Sequence, residues 1–340
     1  MIPGSLRLST AIDRRRLLAA SALALLAAAP RSGLARQEAT PAADGEWSFV
    51  DDFGVTISRP RQPERIVAYL PLAAALWDFG VRPVAVYGTT RRADGSPEIY
   101  VGNVDLDAVA SLGETYGELD LEQLVALQPD LIVNDKWAAE RDVWGLPADT
   151  VAQVEAIAPI ASLSFVDQPV TATIGRVADL AAALGADVEA PEVVAARERL
   201  ARAEQDLQAA IAAKPGLKVI FISATTDNLW VGNPAIFADL LYFKELGLDI
   251  VQPETPDEYF EELSWEQAAR YPADLILLDA RSFSSTLDQL QEIPTFSALP
   301  AVKAGQIAGW QTEYVPGYAD IAAILEDLTA TIEQSRADVV

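Results

Sequence analysis

The segment that most constrains the fold lies in the middle of the chain and has no internal helix breaker. Residues 191–213 begin with a proline, contain no glycine and are rich in Ala, Leu, Arg and Glu. Ala, Leu and Arg are strong helix formers, and a helix of this length spans ~35 Å at ~1.5 Å per residue. Such a rod suits the connection of two lobes, although a helix packed within one domain is the alternative. The 340 residues also exceed the ~250–300 at which a single core stops growing.

Short apolar runs alternate with helical segments on both sides of this helix. The predicted strands are residues 65–70, 84–87, 131–133, 157–163, 218–223, 275–279 and 307–309. The predicted helices are residues 72–79, 122–127, 171–184, 235–246 and 320–334, with a β-hairpin at 47–57. This alternation is typical of parallel sheets covered by helices. We predict an α/β fold of two Rossmann-like lobes with parallel-type sheets, residues 47–170 and 214–340, joined by a linking helical segment, residues 171–213.

A pattern of acidic residues occurs once in each half of the chain. The two sets are Glu122, Asp130 and Asp135 in the first half and Glu266, Asp274 and Asp279 in the second. Both sets have the same spacing. In each set the glutamate lies at a predicted helix start, the first aspartate lies in the turn that follows, and the second lies at the buried strand after that turn. A chance match is possible because acidic residues are common, but equivalent placement in both halves favours two pseudo-equivalent lobes.

The composition excludes several classes of function. The chain contains no cysteine and no histidine, which removes disulfides, thiolate metal sites, Ser-His-Asp hydrolases, zinc hydrolases and histidine-ligated haem. The formal net charge is −25. A surface of that charge repels nucleic acids and anionic lipid headgroups, so neither is expected as a partner.

The first residues have the pattern of an export signal. Residues 14–18 carry three arginines followed by two leucines, residues 19–29 are apolar, and 33–35 offer a cleavage site. The apolar run is shorter than the ~20 residues of a membrane span. We predict a twin-arginine-type signal peptide at 1–35, a linker at 36–46, and an extracytoplasmic location, in the periplasm or at the cell surface. No cysteine follows the run to attach a lipid, so the means of retention stays open.

Five segments together resemble the class III periplasmic-binding-protein family, the solute-binding proteins of ABC importers for ferric siderophores, haem and cobalamin. These segments are residues 52–67, 80–84, 121–132, 264–267 and 299–306. The resemblance implies a two-lobed monomer without enzymatic activity or intrinsic cofactor, which binds a ferric siderophore or other iron chelate in the cleft between its lobes. Its partner would be an ABC permease dimer with its ATPase. Glu122 and Glu266 match the glutamates that pair with permease arginines in that family. The alternative for each is a first-turn glutamate that the helix dipole favours.

Aromatic and cationic side chains follow the predicted strands, and open α/β sheets bind ligands at the carboxyl ends of their strands. The candidate ligand-binding residues are Tyr69, Tyr87, Arg91, Arg92, Lys136, Trp137, Arg141, Trp230, Arg281, Trp310 and Tyr314. Arginines would offer charge and directed donors to an anionic chelate, and aromatic rings would cover its apolar faces. The alternatives are core packing for Trp230 and Trp310 and a solvated loop for Arg91 and Arg92. No metal ligands are predicted in the protein itself.

The leading hypothesis is therefore an extracytoplasmic binding protein that captures a ferric siderophore or related iron chelate and delivers it to a permease. A cobalamin or haem binding protein of the same importer class is the alternative, although the absence of histidine weakens the haem reading. An exported carboxylate-dependent hydrolase and a scaffold or adhesion module are less favoured. No pair of carboxylates is singled out by the sequence, and a scaffold would not need the repeated acidic pattern and the linking helix.

Overall fold

The computed structural model describes residues 46–92, 95–115, 117–136, 146, 150–281 and 285–340. The predicted signal peptide and nearly all of the predicted linker lie outside these residues. Within the described ranges, none of the helices combines the length and the apolar character that crossing a membrane requires.

The described chain begins with the predicted β-hairpin. Strands β1 (Trp47–Val50) and β2 (Thr56–Arg59) pair antiparallel. The turn between them is held by Asp51, whose carboxylate accepts hydrogen bonds from the backbone N–H groups of Phe53 and Val55 at 3.0 and 2.9 Å. This prediction is confirmed.

The first lobe contains a five-stranded sheet that is parallel throughout. Its strands are β3 (Ile66–Tyr69), β4 (Ala85–Tyr87), β5 (Ala110–Ser111), β6 (Leu131–Lys136) and β7 (Ile160–Ser164), in the order β5-β4-β3-β6-β7. Its helices are α1 (Leu70–Asp78), α2 (Leu121–Leu127) and α3 (Val151–Ile157), with a 3₁₀ helix at Ile99–Val101. Every residue of β3 and β4 is buried, because helices cover both faces of a parallel sheet.

The second lobe has a mixed six-stranded sheet. Its strands are β8 (Lys218–Ala224), β9 (Asn228–Gly232), β10 (Asp249–Ile250), β11 (Phe260–Ser264), β12 (Leu275–Asp279) and β13 (Ile307–Trp310). The main order is β11-β9-β8-β12-β13, and β10 pairs with the start of β8. Its helices are α6 (Ala238–Glu245), α7 (Leu287–Gln291), α8 (Pro294–Ser297), α9 (Pro300–Lys303) and α10 (Tyr318–Gln334), with a 3₁₀ helix at Trp265–Gln267.

Two strands of the second lobe depart from the predicted parallel arrangement. Strand β9 runs antiparallel to β8, and β11 runs antiparallel to β9. The backbone N–H of Thr225 donates to the carbonyl of Asn228 at 2.9 Å, so the chain reverses in a tight turn. A turn this short cannot make the crossover that a parallel pair needs. Trp230 therefore lies within strand β9 rather than in a loop at a strand exit.

The predicted linking helix is confirmed, and a second helix accompanies it. Helices α4 (Val170–Ala183) and α5 (Pro191–Ala212) both connect the lobes, and α5 packs along α10. The side chains of Val177, Leu180 and Val193 belong to the core of the first lobe, and those of Ile174, Leu200 and Leu207 to the core of the second. Because each helix contributes to both cores, the predicted lobe boundaries at 170 and 214 stay predictions.

The repeated acidic pattern has a structural cause at the central strand of each sheet. In the first lobe the backbone N–H of Asp130 donates to the carbonyl of Arg65 at 2.8 Å, and its carboxylate accepts from the Arg65 N–H at 3.0 Å. In the second lobe Asp274 makes the same two contacts with Lys218, at 2.8 and 3.0 Å. Both aspartates thus tie the start of the central strand of their sheet, β3 or β8, to the turn before the neighbouring strand, β6 or β12. The two lobes are equivalent in this respect.

We expect Asp274→Ala to lower the free energy of unfolding by about 3 kcal/mol, since hydrogen bonds to a charged group contribute about 1.5–3 kcal/mol each. Asp274 is 1% exposed, and its carboxylate also accepts from the backbone N–H of Val339 at 2.9 Å. Urea unfolding followed by circular dichroism measures this loss. The matched Asp130→Ala should cost less, because the Asp130 side chain is 17% exposed. A loss at Asp274 no larger than the loss at Asp130 would contradict the assignment.

Candidate ligand-binding site

A cavity of about 400 Å³ lies between the two lobes at the carboxyl ends of their strands. The first lobe lines it with Tyr69, Pro71, Gly88, Thr89, Tyr100, Asp135 and Phe165. The second lobe contributes Phe237, Tyr259, Phe260, Arg281, Thr312 and Glu313. This volume is within the range of small-molecule sites, ~300–1,000 Å³. Its position is the one that open α/β sheets use for ligands.

Six aromatic side chains, three from each lobe, form most of the wall. Those of the first lobe are Tyr69, Tyr100 and Phe165, and those of the second are Phe237, Tyr259 and Phe260. The Phe237 ring packs edge-on against Tyr259 and Phe260, with centroids 5.4 and 5.0 Å apart. An isolated antiparallel bridge joins Val166 to Phe237 and so connects the lobes directly beside the cavity.

Tyr69 lies against a glycine that leaves room for its ring. Gly88 follows β4 and has a φ of +118°, a conformation that side chains disfavour. A Cβ added there would approach the Cε2 atom of Tyr69 to 2.9 Å. The Tyr69 ring also packs on Tyr87 at 5.6 Å between centroids. The position of Tyr69 in the wall therefore depends on glycine at residue 88.

The single cationic side chain among the described lining residues is already bound to a carboxylate. The guanidinium of Arg281 donates to both carboxylate oxygens of Asp279, at 3.0 and 2.9 Å from Nε. The Asp279 side chain is fully buried and also accepts from the hydroxyl of Thr312 at 2.9 Å. The pair fixes the orientation of Arg281 and neutralises its charge.

Glu313 lies in the wall beside this pair, with further charged groups around it. Burial raises its pKa to about 7; Arg281 and Arg92 act to lower it, and Glu98 and Asp279 act to raise it. The guanidinium of Arg92 is itself 3.3 Å from the Glu98 carboxylate. Among the described residues of this group, three carboxyl groups face two guanidinium groups.

The pKa values of three carboxyls make the stability of the protein depend on pH. Burial raises the pKa of Glu313 to about 7 and those of Asp239 and Asp320 to about 6. The folded state therefore holds protons that the unfolded state releases near pH ~4. We expect the melting temperature to fall as the pH rises from about 5 to about 8, which differential scanning fluorimetry measures. Glu313→Gln should reduce the slope, and a melting temperature that rises across this interval would refute the prediction.

The structure brings two of the predicted ligand-binding residues, Tyr69 and Arg281, into the cavity wall. Tyr87 is buried behind Tyr69, where its hydroxyl accepts a hydrogen bond from the Asn134 side chain. Trp310 is 2% exposed and lies behind the wall, with its ring centroid 5.2 Å from that of Phe237. These two aromatic residues support lining residues rather than face the cavity.

Two further aromatic residues of the prediction also lie outside the cavity lining. Tyr314 is partly exposed and packs against the core of the second lobe. Trp230 is partly buried on β9, opposite Glu262 of β11. Trp310, behind the wall, is held in place by a hydrogen bond, because its indole N–H donates to the buried carboxylate of Asp239 at 2.7 Å.

Apart from Arg281, the described cations among the predicted ligand-binding residues, Arg91, Arg92 and Lys136, do not line the cavity. Arg91 is exposed and donates to the carbonyl of Gly95 at 3.2 Å. The ammonium of Lys136 lies 4.8 Å from the centroid of the Phe53 ring. The remaining two predicted residues, Trp137 and Arg141, lie outside the described residues. No group of three His, Cys, Asp or Glu side chains within the described ranges is placed to hold a metal ion.

Several lining residues were not among the predicted candidates. Phe165 directly follows β7, and Thr312 and Glu313 follow β13. They therefore lie at the carboxyl ends of strands, where open α/β sheets bind ligands. Tyr259 and Phe260 are different, because they stand at the start of the antiparallel strand β11. The strand was not predicted, and no local signal distinguishes these two rings from core residues.

The two glutamates of the repeated pattern occupy equivalent positions outside the cavity. Glu122 is exposed in the first turn of α2, where the Asp120 carboxylate accepts a hydrogen bond from the Gln123 N–H at 2.9 Å. Glu266 is exposed in the first turn of the second 3₁₀ helix, which has a capping box of Ser264 and Gln267. Each lobe thus presents one glutamate at a capped helix start.

Comparisons with known proteins agree with this architecture. The profile of the family described as periplasmic binding protein matches residues 68–314. The ferric-siderophore receptor protein DesE from Streptomyces coelicolor is 35% identical, with a TM-score of 0.79 over 86% of this chain and 99% of that one. The Fe(3+)-citrate-binding protein YfmC of Bacillus subtilis is 25% identical over 246 residues, 72% of each chain. The Fe3+-Desferal-bound FhuD from Vibrio cholerae shares the fold, at 20% identity and a TM-score of 0.58 over 79% of this chain and 99% of that one.

Proposed function

The chain belongs to the periplasmic binding protein family, and on that premise we propose that it captures a ferric siderophore or related iron chelate outside the cytoplasm and delivers it to an ABC importer. The observation that carries this proposal is the cavity between the lobes, which lies at the carboxyl ends of the parallel strands and is walled by six aromatic rings. Hydroxamate and catecholate chelators surround iron with methylene chains or aromatic rings, and aromatic side chains cover such surfaces well.

The names of the relatives support iron chelates as the class of ligand. The S. coelicolor relative, at 35% identity, is a ferric-siderophore receptor, and the B. subtilis relative binds Fe(3+)-citrate. The metal in such a complex is cargo, which the chelator holds. The aromatic wall supplies surface contacts to the chelator. Because the family is one of binding proteins, we propose that the chain acts without a catalytic step.

Delivery requires a surface that the importer recognises in both lobes, and Glu122 and Glu266 are our candidates. Two carboxylates at equivalent helix starts suit two cationic sites on a symmetric permease dimer. The shared helices α4 and α5, which belong to both cores, favour small movements of the lobes on binding. We further propose that the chain acts as a monomer outside the cytoplasm, with residues 1–35 as its twin-arginine-type export signal.

A thermal-shift panel tests the proposed function. Ferric complexes of hydroxamates, catecholates and citrate would each be compared with the corresponding iron-free chelator, with haem and cobalamin as outside controls. Since a ligand stabilises by RT ln(1 + [L]/Kd), a concentration ~100-fold above Kd adds about 2.7 kcal/mol. We expect at least one ferric complex, and not its iron-free chelator, to raise the melting temperature. No rise with any ferric chelate would refute the proposal, as would a rise with haem or cobalamin alone.

A further inference from the structure

We propose that Asn233 is the positioning residue that holds the three aromatic rings of the second lobe in place for the chelate. The inference rests on the proposed function and adds to it a residue that acts on the ligand only through others. Asn233 directly follows β9, is 0% exposed and is not one of the described residues that line the cavity.

The three rings belong to two segments that are distant in the sequence. Phe237 ends the short connection from β9 to α6, and Tyr259 and Phe260 stand where residues 251–259 enter β11. Residues 251–259 form neither a helix nor a strand. Segments of this kind are more mobile than the elements they connect. A wall built partly on such a segment therefore depends on contacts that tie the segment to the sheet.

The backbone of Asn233 joins these two segments. Its N–H donates to the carbonyl of Tyr259 at 2.9 Å, and its carbonyl accepts from the N–H of Phe237 at 3.3 Å. The preceding residue, Gly232, pairs with Phe260 in the antiparallel register of β9 and β11. Two consecutive positions of the chain thus contact the backbone of all three residues that carry the rings.

The side chain of the same asparagine forms a second set of hydrogen bonds to these segments. Its amide nitrogen Nδ2 donates to the carbonyls of Thr255, Pro256 and Glu258, at 3.3, 3.0 and 3.0 Å. Its oxygen Oδ1 accepts from the backbone N–H of Ala235 at 3.0 Å and from the amide of Gln252 at 2.7 Å. A side-chain amide has two protons to donate and one oxygen to accept with, so both of its ends are in use.

The pattern of these bonds separates positioning from the capping of a local turn. The bond from the Ala235 N–H to Oδ1 is a turn that asparagine and aspartate form equally well. The bonds from Nδ2 have no part in that turn, since they reach residues 22 to 25 positions further along the chain. The amide of Asn233 therefore fixes the segment that leads to Tyr259.

The position of Phe237 also relates the two halves of the wall to each other. Its isolated bridge to Val166 joins the lobes, and the neighbouring Phe165 is a lining residue of the first lobe. A displacement of Phe237 would therefore shift the rings of the second lobe relative to Phe165. Binding groups have to be held to within ~0.5 Å of their productive geometry by the residues that support them.

Chelate affinity, compared between variants of reduced stability, tests the role of Asn233. The probes are ferric citrate and the ferric complexes of desferrioxamine B and enterobactin, and the probe that binds the wild-type chain most tightly is used throughout. Isothermal titration should show at least ~10-fold weaker binding by Asn233→Ala, the lower end of the ~10–100-fold loss caused by removing partners that orient metal ligands. The control is Asp274→Ala, which removes a buried hydrogen-bonding group at the amino ends of the strands. It should also lower stability but keep the wild-type affinity.

Asn233→Asp separates the two ends of the side chain. It keeps the acceptor for the turn and removes the donor to the three carbonyls, so affinity should fall as it does in Asn233→Ala. Wild-type affinity in Asn233→Asp would reduce the residue to a turn former and overturn the proposal. If neither variant folds, Gln252→Ala decides, because Gln252 is exposed and its loss removes only the bond to Oδ1. Weaker binding by Gln252→Ala then supports the proposal, and unchanged binding overturns it.

A fluorine label on tyrosine reports on the wall without any ligand. The ¹⁹F resonance of Tyr259 is assigned by its absence in Tyr259→Phe. It should shift or broaden in Asn233→Ala and stay unchanged in Asp274→Ala, and an unchanged resonance in Asn233→Ala contradicts the positioning role. If a probe binds the wild-type chain and Asn233→Ala equally well, the role of Asn233 is wrong and the proposed function stands. If none of the probes binds the wild-type chain, the proposed function fails and this inference fails with it.

Discussion

Replacing Glu122 and Glu266 together by lysine is expected to abolish iron uptake through the cognate importer while chelate binding in solution is unchanged. Both side chains are exposed at capped helix starts, and neither lines the cavity. In the proposed docking, a charge reversal in both lobes would replace two attractive contacts with two repulsive ones. Like charges placed opposite each other in an interface cost several kcal/mol. Uptake of radioactive iron by cells, at equal amounts of binding protein, measures the effect, which we expect to exceed ~100-fold.

The same change of charge at two other helix starts provides the control. Glu192 in α5 and Asp288 in α7 are also exposed acidic residues in a first helical turn. Lysine at both positions should leave uptake near the wild-type level. Uptake that survives the change at Glu122 and Glu266, or is lost equally in the control, would exclude these glutamates as the importer contacts.

The second large effect is expected in the cavity wall. Tyr100→Ala combined with Tyr259→Ala removes one aromatic side chain from each lobe. Both residues are partly exposed and pack at the margin of a core, so their loss should cost less stability than truncation of a fully buried ring. Truncation of an aromatic residue at the centre of a binding site costs about 2 kcal/mol or more. We expect the double variant to bind the best ferric chelate at least ~100-fold more weakly, as measured by quenching of tryptophan fluorescence.

The control for this variant is an aromatic truncation outside the cavity. Trp77 lies on α1, where the Arg82 guanidinium packs over its ring at 4.2 Å from the centroid, and it does not line the cavity. Trp77→Ala should retain the wild-type affinity for the chelate. If Tyr100→Ala plus Tyr259→Ala binds as tightly as Trp77→Ala, the aromatic wall is not the binding surface.

Most of the architecture could be predicted because its causes are local in the sequence. The absence of helix breakers between the proline at 191 and residue 213 predicts α5, which the structure places at Pro191–Ala212. Runs of buried apolar residues predict the parallel strands, because a sheet covered on both faces leaves no exposed positions. Strands β9 and β11 were missed for a different reason. They pair antiparallel at the edge of their sheet, and their alternation of buried and partly exposed residues is too short to stand out.

The binding site was predicted less completely, since sequence does not show on which side of a sheet a residue at a strand end lies. Tyr69 and Arg281 meet the cavity, whereas Tyr87 and Trp310 turn into the cores behind it. The ion pair of Arg281 with Asp279 is local in the sequence, because Asp279 precedes Arg281 by two residues. A contact of this kind is easier to predict than one between distant segments. The position of Glu313 near charges from both lobes depends on tertiary structure and has no sequence signal.

Diffraction at the iron absorption edge, from crystals grown with the chelate that stabilises the protein most, tests the central claim most directly. The anomalous signal locates iron without reference to the chelator. We predict one iron peak per chain, inside the cavity between the lobes and within reach of Tyr69, Tyr100 and Tyr259. An iron peak at the surface of one lobe, or a fully occupied chelate outside the aromatic wall, would contradict the proposed site and the function built on it.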